Sequence, residues 1–194
     1  MKKSAIVLFF AAVFSFNAMA QSVQEGVSHW YAERYQSARQ TFEKLTASNP
    51  NNLEAVYWLG QTMLAQEDIA GAKALYQKTL AANGNAPWLL AGLGHINLLN
   101  GKGAEARQMF DAAIAASKGK KANDANILTA VGRANVQAYT DQKKLGDLEY
   151  AVAKLNEAAQ IAPTNPDVFL VLGNAYRKMH RGGDAVQAYR KAGN

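Results

Sequence analysis

Residues 90–113 read LAGLGHINLLNGKGAEARQMFDAA. Within them Leu93-Gly94 is followed twelve residues later by Ala106, and four after that by Phe110. The same set recurs as Leu59-Gly60, Ala72 and Tyr76, and again as Leu172-Gly173, Ala185 and Tyr189. A looser copy is Val131-Gly132, Ala151 and Leu155. Counting from Ala38 with Phe42, the alanines advance in steps of 34, 34, 45 and 34 residues. A fixed period carrying small and large residues at set offsets is the mark of helical hairpins stacked in a row, because one hairpin cannot bury its own apolar side and needs a neighbour.

The local pattern agrees. Apolar residues recur at intervals of three and four, as in Val56, Leu59, Met63 and Leu64, and no useful stretch alternates with period two. Helix starts are marked between the periodic segments. Asn165 precedes Pro166, Asn51 and Asn52 precede Leu53, and Pro87 follows Asn85-Ala86; a side-chain cap, or proline in the first turn, suits each position. The breaks are short, so consecutive helices are expected to run antiparallel. Gly60 and Ala72 are expected to face each other at the crossing within a hairpin, with Tyr76 and its equivalents filling the gap toward the next.

The fourth unit breaks the period. Nineteen residues separate Gly132 from Ala151, seven more than elsewhere, with the excess near Thr140–Asp147. Four more precede the unit, around Ser117–Asp124. Both stretches are polar and contain glycine, so both are expected on loops.

These residues resemble the tetratricopeptide repeat (TPR): an apolar residue, Leu-Gly, a large residue three later, then alanine, an aromatic, another alanine and a closing proline. The last copy matches at Phe169, Leu172, Gly173, Tyr176, Ala185, Tyr189 and Ala192, and the third at Leu90, Leu93, Gly94, Ala106, Phe110 and Ala113. The first keeps Ala38, Phe42, Leu45 and Pro50, but around Gly26 its first helix has little apolar pattern. The resemblance covers nearly everything after Gly26. It implies an all-α, right-handed superhelical solenoid of about five antiparallel helix pairs, with units near 21–52, 53–86, 87–122, 123–165 and 166–194. The chain ends late in the second helix of the fifth unit, without a further polar-faced helix; from this we expect a fragment of a longer protein or an end that packs on a partner.

Residues 1–20 read as an export signal: Lys2 and Lys3, an apolar run from Ala5 to Phe14, then Ala18-Met19-Ala20 before Gln21. The apolar run is short for a membrane span. With no cysteine, disulfides, thiolate zinc sites and a lipidated cysteine are all ruled out. The expectation is an exported bacterial protein of this type, periplasmic or secreted, with no transmembrane span once the signal is removed. The formal charge of +6 falls to +4 when Lys2 and Lys3 leave. Its densest basic cluster, Lys118-Gly119-Lys120-Lys121, lacks the aromatics and the stripe that a nucleic-acid groove needs, so no nucleic-acid partner is expected.

No chemistry announces itself. His29, His95 and His180 fall in different repeats and form no helical metal pair. There is no Gly-x-Ser-x-Gly elbow, and Gly101-Lys102-Gly103 lacks the rest of a phosphate loop. The reading is no enzyme, no cofactor and no metal.

The resemblance also implies a concave surface lined by the first helix of each pair. On it the candidate partner-binding residues are Tyr57, Gln61, Trp88, His95, Arg133, Asn174 and Arg177, with Tyr57 and Trp88 as anchors and Arg133, Asn174 and Arg177 for backbone or carboxylate oxygens. Some family members clamp a carboxyl terminus with Lys, Asn and Arg. Here Asn174 matches, but Tyr57 stands at the lysine position and Gly92 at a small polar one, so that clamp is incomplete. The function expected is a noncatalytic scaffold binding a peptide or protein outside the cytoplasm. The alternatives are the amino-terminal module of a larger envelope enzyme, or a scaffold that self-associates through its uncapped end.

Overall fold

The computed structural model describes residues 23–119 and 121–193. The export-signal reading of residues 1–20 lies outside them. All regular structure among the described residues is helical: α1 (23–31), α2 (Tyr35–Ser48), α3 (Leu53–Ala65), α4 (Ile69–Asn83), α5 (Pro87–Leu99), α6 (Gly103–Ser117), α7 (Lys121–Gln137), α8 (Leu148–Ile161), α9 (Pro166–Lys178) and α10 (Gly182–Ala192). The all-α, repeated-hairpin fold is the one the periodicity predicts. The chain divides into two compact units, one ending at Leu75 and the other starting at Tyr76.

The expected helix starts are present. Asn52 Oδ1 accepts from Ala55 N at 3.1 Å, Asn165 Oδ1 accepts from Asp167 N at 3.0 Å, and Pro87 occupies the first turn of α5. Asp147 caps α8 in the same way, accepting from Tyr150 N at 2.9 Å.

Four hairpins turn by one device, the first three of them at 34-residue intervals. Glu33, Glu67, Gly101 and His180 all have positive φ, between 57° and 73°. Immediately after each, a backbone N–H reaches back to close the helix end: Arg34 to His29 O, Asp68 to Met63 O, Lys102 to Asn97 O and Arg181 to Tyr176 O, at 2.8–2.9 Å. This is the left-handed C-terminal cap that spares the last carbonyls from going unpaired.

Unit 1 holds its weakly patterned first helix with aromatics. Trp30 meets Tyr31, Tyr35 and Trp58 edge-on at 5.1, 6.4 and 5.4 Å, and Trp58 stacks on Phe42 at 6.5 Å. Gly26 is a true repeat glycine: a β-carbon there would lie 2.5 Å from the Phe42 ring.

In unit 2 the two helices of each pair pack on each other, and the first helices pack in a row, α5 on α7 and α7 on α9. The alanines Ala106, Ala151 and Ala185 are buried as expected. One detail of the expected crossing is corrected. The large residue covers the glycine of its own hairpin: Phe110 sits on Gly94, Leu155 on Gly132 and Tyr189 on Gly173. The small alanine side chain lets the second helix come close enough for this ring or branched chain to reach the glycine on the first. Tyr76 does reach the next hairpin, with its ring against Gly92 of α5.

The two insertions differ. Near Thr140–Asp147 the extra residues form the loop expected. Most of the four before α7 do not, because that helix already starts at Lys121. Asp124 lies in its first turn, where a carboxylate suits the positive end of the helix dipole, and accepts from Gly119 N at 3.2 Å.

Candidate protein-interaction surface

In unit 1, Tyr57 and Gln61 on α3 are buried, each 1% exposed, and the Tyr57 ring packs edge-on against Trp58 at 5.4 Å. In unit 2, Trp88 and Asn174 are half-buried and Arg177 is exposed, whereas His95 and Arg133 are 3% exposed.

The burial of Arg133 has a specific cause. It stands one residue after its repeat glycine, and a guanidinium N–H donates to the carboxylate of Asp167 on the next first helix. Asp167 lies six residues before Gly173. The geometry of the row therefore brings the position after one glycine under the start of the following first helix. His95 holds the equivalent place on α5. Burial, with the Arg133 charge adding to it, pushes its imidazole down to a pKa of about 4, so the ring is neutral at ordinary pH.

Beneath the surface runs a polar layer tied to the helices themselves. Thr129 Oγ1 donates to Ala125 O at 2.7 Å, and Asn135 Nδ2 to Val131 O at 3.0 Å. The more accessible layer above it carries Trp88 on α5, Asn126 on α7, and Leu170, Asn174 and Arg177 on α9. Tyr189 O–H donates to Asn174 Oδ1 at 2.7 Å, which fixes that amide in orientation. Lys178 reaches across to α7, donating to Val136 O at 2.6 Å and to Tyr139 O. Its ammonium pKa is lowered, first by burial and then by Arg177, against an opposing pull from Asp141. Tryptophan and leucine beside amide and guanidinium donors can hold apolar side chains and the oxygens of a polypeptide.

A separate cleft lies between α8 and α10, with α9 as its floor. This cleft of about 650 Å³ has Phe169, Leu172 and Tyr176 at the bottom and Asn156, Gln160 and Gln187 on its walls. Sequence reasoning passed it over because these positions carry the repeat's own packing residues. Among the described residues no group of three or more His, Cys, Asp or Glu could hold a metal ion, and no helix is long and apolar enough to cross a membrane.

Comparison with known proteins bears on the family. Models described as tetratricopeptide repeat match residues 23–87 and 63–130, and one described as TPR repeat matches residues 142–179. No curated protein sequence matches the chain. Among solved structures, a thermophilic TPR protein of Thermus thermophilus is similar at 22% identity and a TM-score of 0.54, over 90% of this chain and 89% of that one. Pseudomonas aeruginosa pilF gives 18% identity and 0.49, over 91% and 76% of the two chains. MamA of MSR-1 gives 18% and 0.45, over 91% and 95%. The chain belongs to the tetratricopeptide repeat family, and its fourth hairpin is where it leaves the family's period.

Proposed function

We propose that this chain is a noncatalytic protein-interaction scaffold that is exported and holds a partner polypeptide on the first-helix surface of its repeats. The observation that carries the reading is the row α5, α7, α9 in unit 2. Trp88, Leu170, Asn174 and Arg177 remain accessible there, above side chains locked by internal hydrogen bonds. A surface whose donors are already oriented loses little freedom on binding, which favours affinity. The carboxyl-terminal clamp of some relatives is not the mode proposed, since Tyr57 and Gly92 replace two of its polar positions.

A photo-crosslinking residue in place of Leu170 tests the surface, with the same probe at the exposed Gln187 on α10 as the control. Crosslinking of one defined partner from position 170, lost in Trp88→Ala and absent from position 187, supports the assignment. Equal crosslinking from both positions removes it. Export is tested by cell fractionation and by the mass of the mature chain. A cytoplasmic protein retaining residues 1–20 would overturn that part of the reading.

A further inference from the structure

We propose that the insertion in the fourth hairpin and the end of α9 together form a cationic docking surface for an acidic segment of the protein partner. The inference rests on the reading of the first-helix surface as a protein-binding face, and it names the chemistry of one end of what binds there.

The insertion is built to hold a shape. Tyr139 and Lys144 form an isolated antiparallel bridge. Thr140 N donates to Lys143 O at 2.8 Å, and Lys143 N donates to Thr140 Oγ1 at 2.9 Å, which closes the tip. Leu145 N returns to Ala138 O at 3.1 Å, and Asp147 N donates to Asn135 Oδ1 at 3.0 Å. Gly146 lies so close to the backbone carbonyl of Asn135 that no side chain fits there. A polar stretch free of any constraint would not need these contacts.

What the shape presents is positive charge. Lys143 and Lys144 are exposed at the tip, and Arg177 is exposed on α9. Tyr139 joins the two elements. The Lys144 ammonium sits 5.8 Å from its ring centroid, and its carbonyl accepts from Lys178. Lys178 serves as a pin, with Val136 and Tyr139 taking two of its three donors; the charges exposed to a ligand are Lys143, Lys144 and Arg177. Among the described residues none of these three is in an ion pair with a carboxylate, and the acid that acts on Lys178 is the exposed Asp141. The excess is positive, so charge complementarity selects an anionic ligand. A polypeptide fits better than a nucleic acid: the patch is small rather than a stripe, and its one aromatic ring already carries Lys144. It also continues from Arg177, which belongs to the proposed binding face.

The probe is a fluorescein-labelled oligoglutamate peptide titrated against the full chain at low salt, alongside oligoglutamine, a short single-stranded DNA and anionic lipid vesicles. Saturable binding of oligoglutamate is expected, weakening with added salt and falling about tenfold or more in K143E/K144E, with circular dichroism unchanged. Charge reversal of the exposed Lys118, on the α6–α7 turn, is expected to leave it intact. No binding of oligoglutamate, equal binding of oligoglutamine, indifference to K143E/K144E, or tighter binding of DNA or vesicles through the same two lysines would each overturn the proposal. Loss of oligoglutamate binding with intact crosslinking from position 170 discards only the acidic specificity. Loss of the crosslink discards the surface itself.

Discussion

The guanidinium of Arg133 on α7 is paired with the carboxylate of Asp167 on α9, but the two ends of the pair are not equally buried: the arginine side chain is 4% exposed and the aspartate 29%. That difference predicts an asymmetry. Asp167→Ala removes the carboxylate paired with a cation held in the interior and should cost about 3 kcal/mol. Arg133→Met leaves a carboxylate that can turn to water and replaces the guanidinium by an apolar chain of similar length, so its cost should be about 1 kcal/mol or less. Urea denaturation of both variants and the double variant measures the difference. Equal losses would mean that the pair is not acting as a buried charge and its counter-ion.

The contact of each repeat glycine with the large residue of its own hairpin yields a second, graded prediction. Phe110 is 1% exposed, so a methyl group on Gly94 drives it into packed neighbours. Gly94→Ala should therefore cost about 2 kcal/mol, even though alanine favours the helix. Tyr189 is only half-buried and its ring can tilt outward, so Gly173→Ala should cost less than half as much. Pairing Gly94→Ala with Phe110→Leu should recover part of the loss. Thermal melts of the three variants decide the order, and G173A as damaging as G94A would contradict it.

The glycine and alanine positions were legible because they recur: a residue type fixed by close approach at each crossing leaves a period in the chain. The first hairpin was only half legible, since Trp30 and Trp58 hold it by aromatic contacts that have no place in the repeat pattern. The candidate surface was legible as a set of positions. Their exposure was not, because whether Arg133 is covered depends on Asp167, which arrives from the next hairpin. The loop at 138–147 could be located by counting, but its bridge and its contact with Asn135 could not, as neither has a sequence signal beyond a lone Gly146.

The repeated turn offers a gain as well as a loss. Gly101 takes φ 73° without strain, while Glu67 takes φ 65° with a side chain that opposes it. Gly101→Ala should cost about 1 kcal/mol. Glu67→Gly should relieve a similar strain, less the extra freedom glycine gives the unfolded chain, for a net gain of roughly 0.5 kcal/mol. Both values come from denaturant midpoints compared at a common slope. A destabilised Glu67→Gly would show that the Glu67 side chain contributes more than its backbone strain costs.

His95 makes stability depend on pH. Folding lowers its pKa from 6.5 to about 4, through burial and, second, the nearby Arg133 charge. The unfolded chain therefore binds a proton that the folded chain refuses. Stability from this site is complete above about pH 6.5, falls as pH drops through the window between the two values, and stops falling below about pH 4. Within the window the slope approaches about 1.4 kcal/mol per pH unit, for a total of about 3 kcal/mol. Denaturation midpoints between pH 7 and pH 4 should show this loss in the native sequence. His95→Gln, which cannot take up a proton, should have a flatter profile over the same range even if it is less stable at pH 7. Parallel profiles for the two proteins would mean that His95 is protonated within the fold as readily as in the unfolded chain.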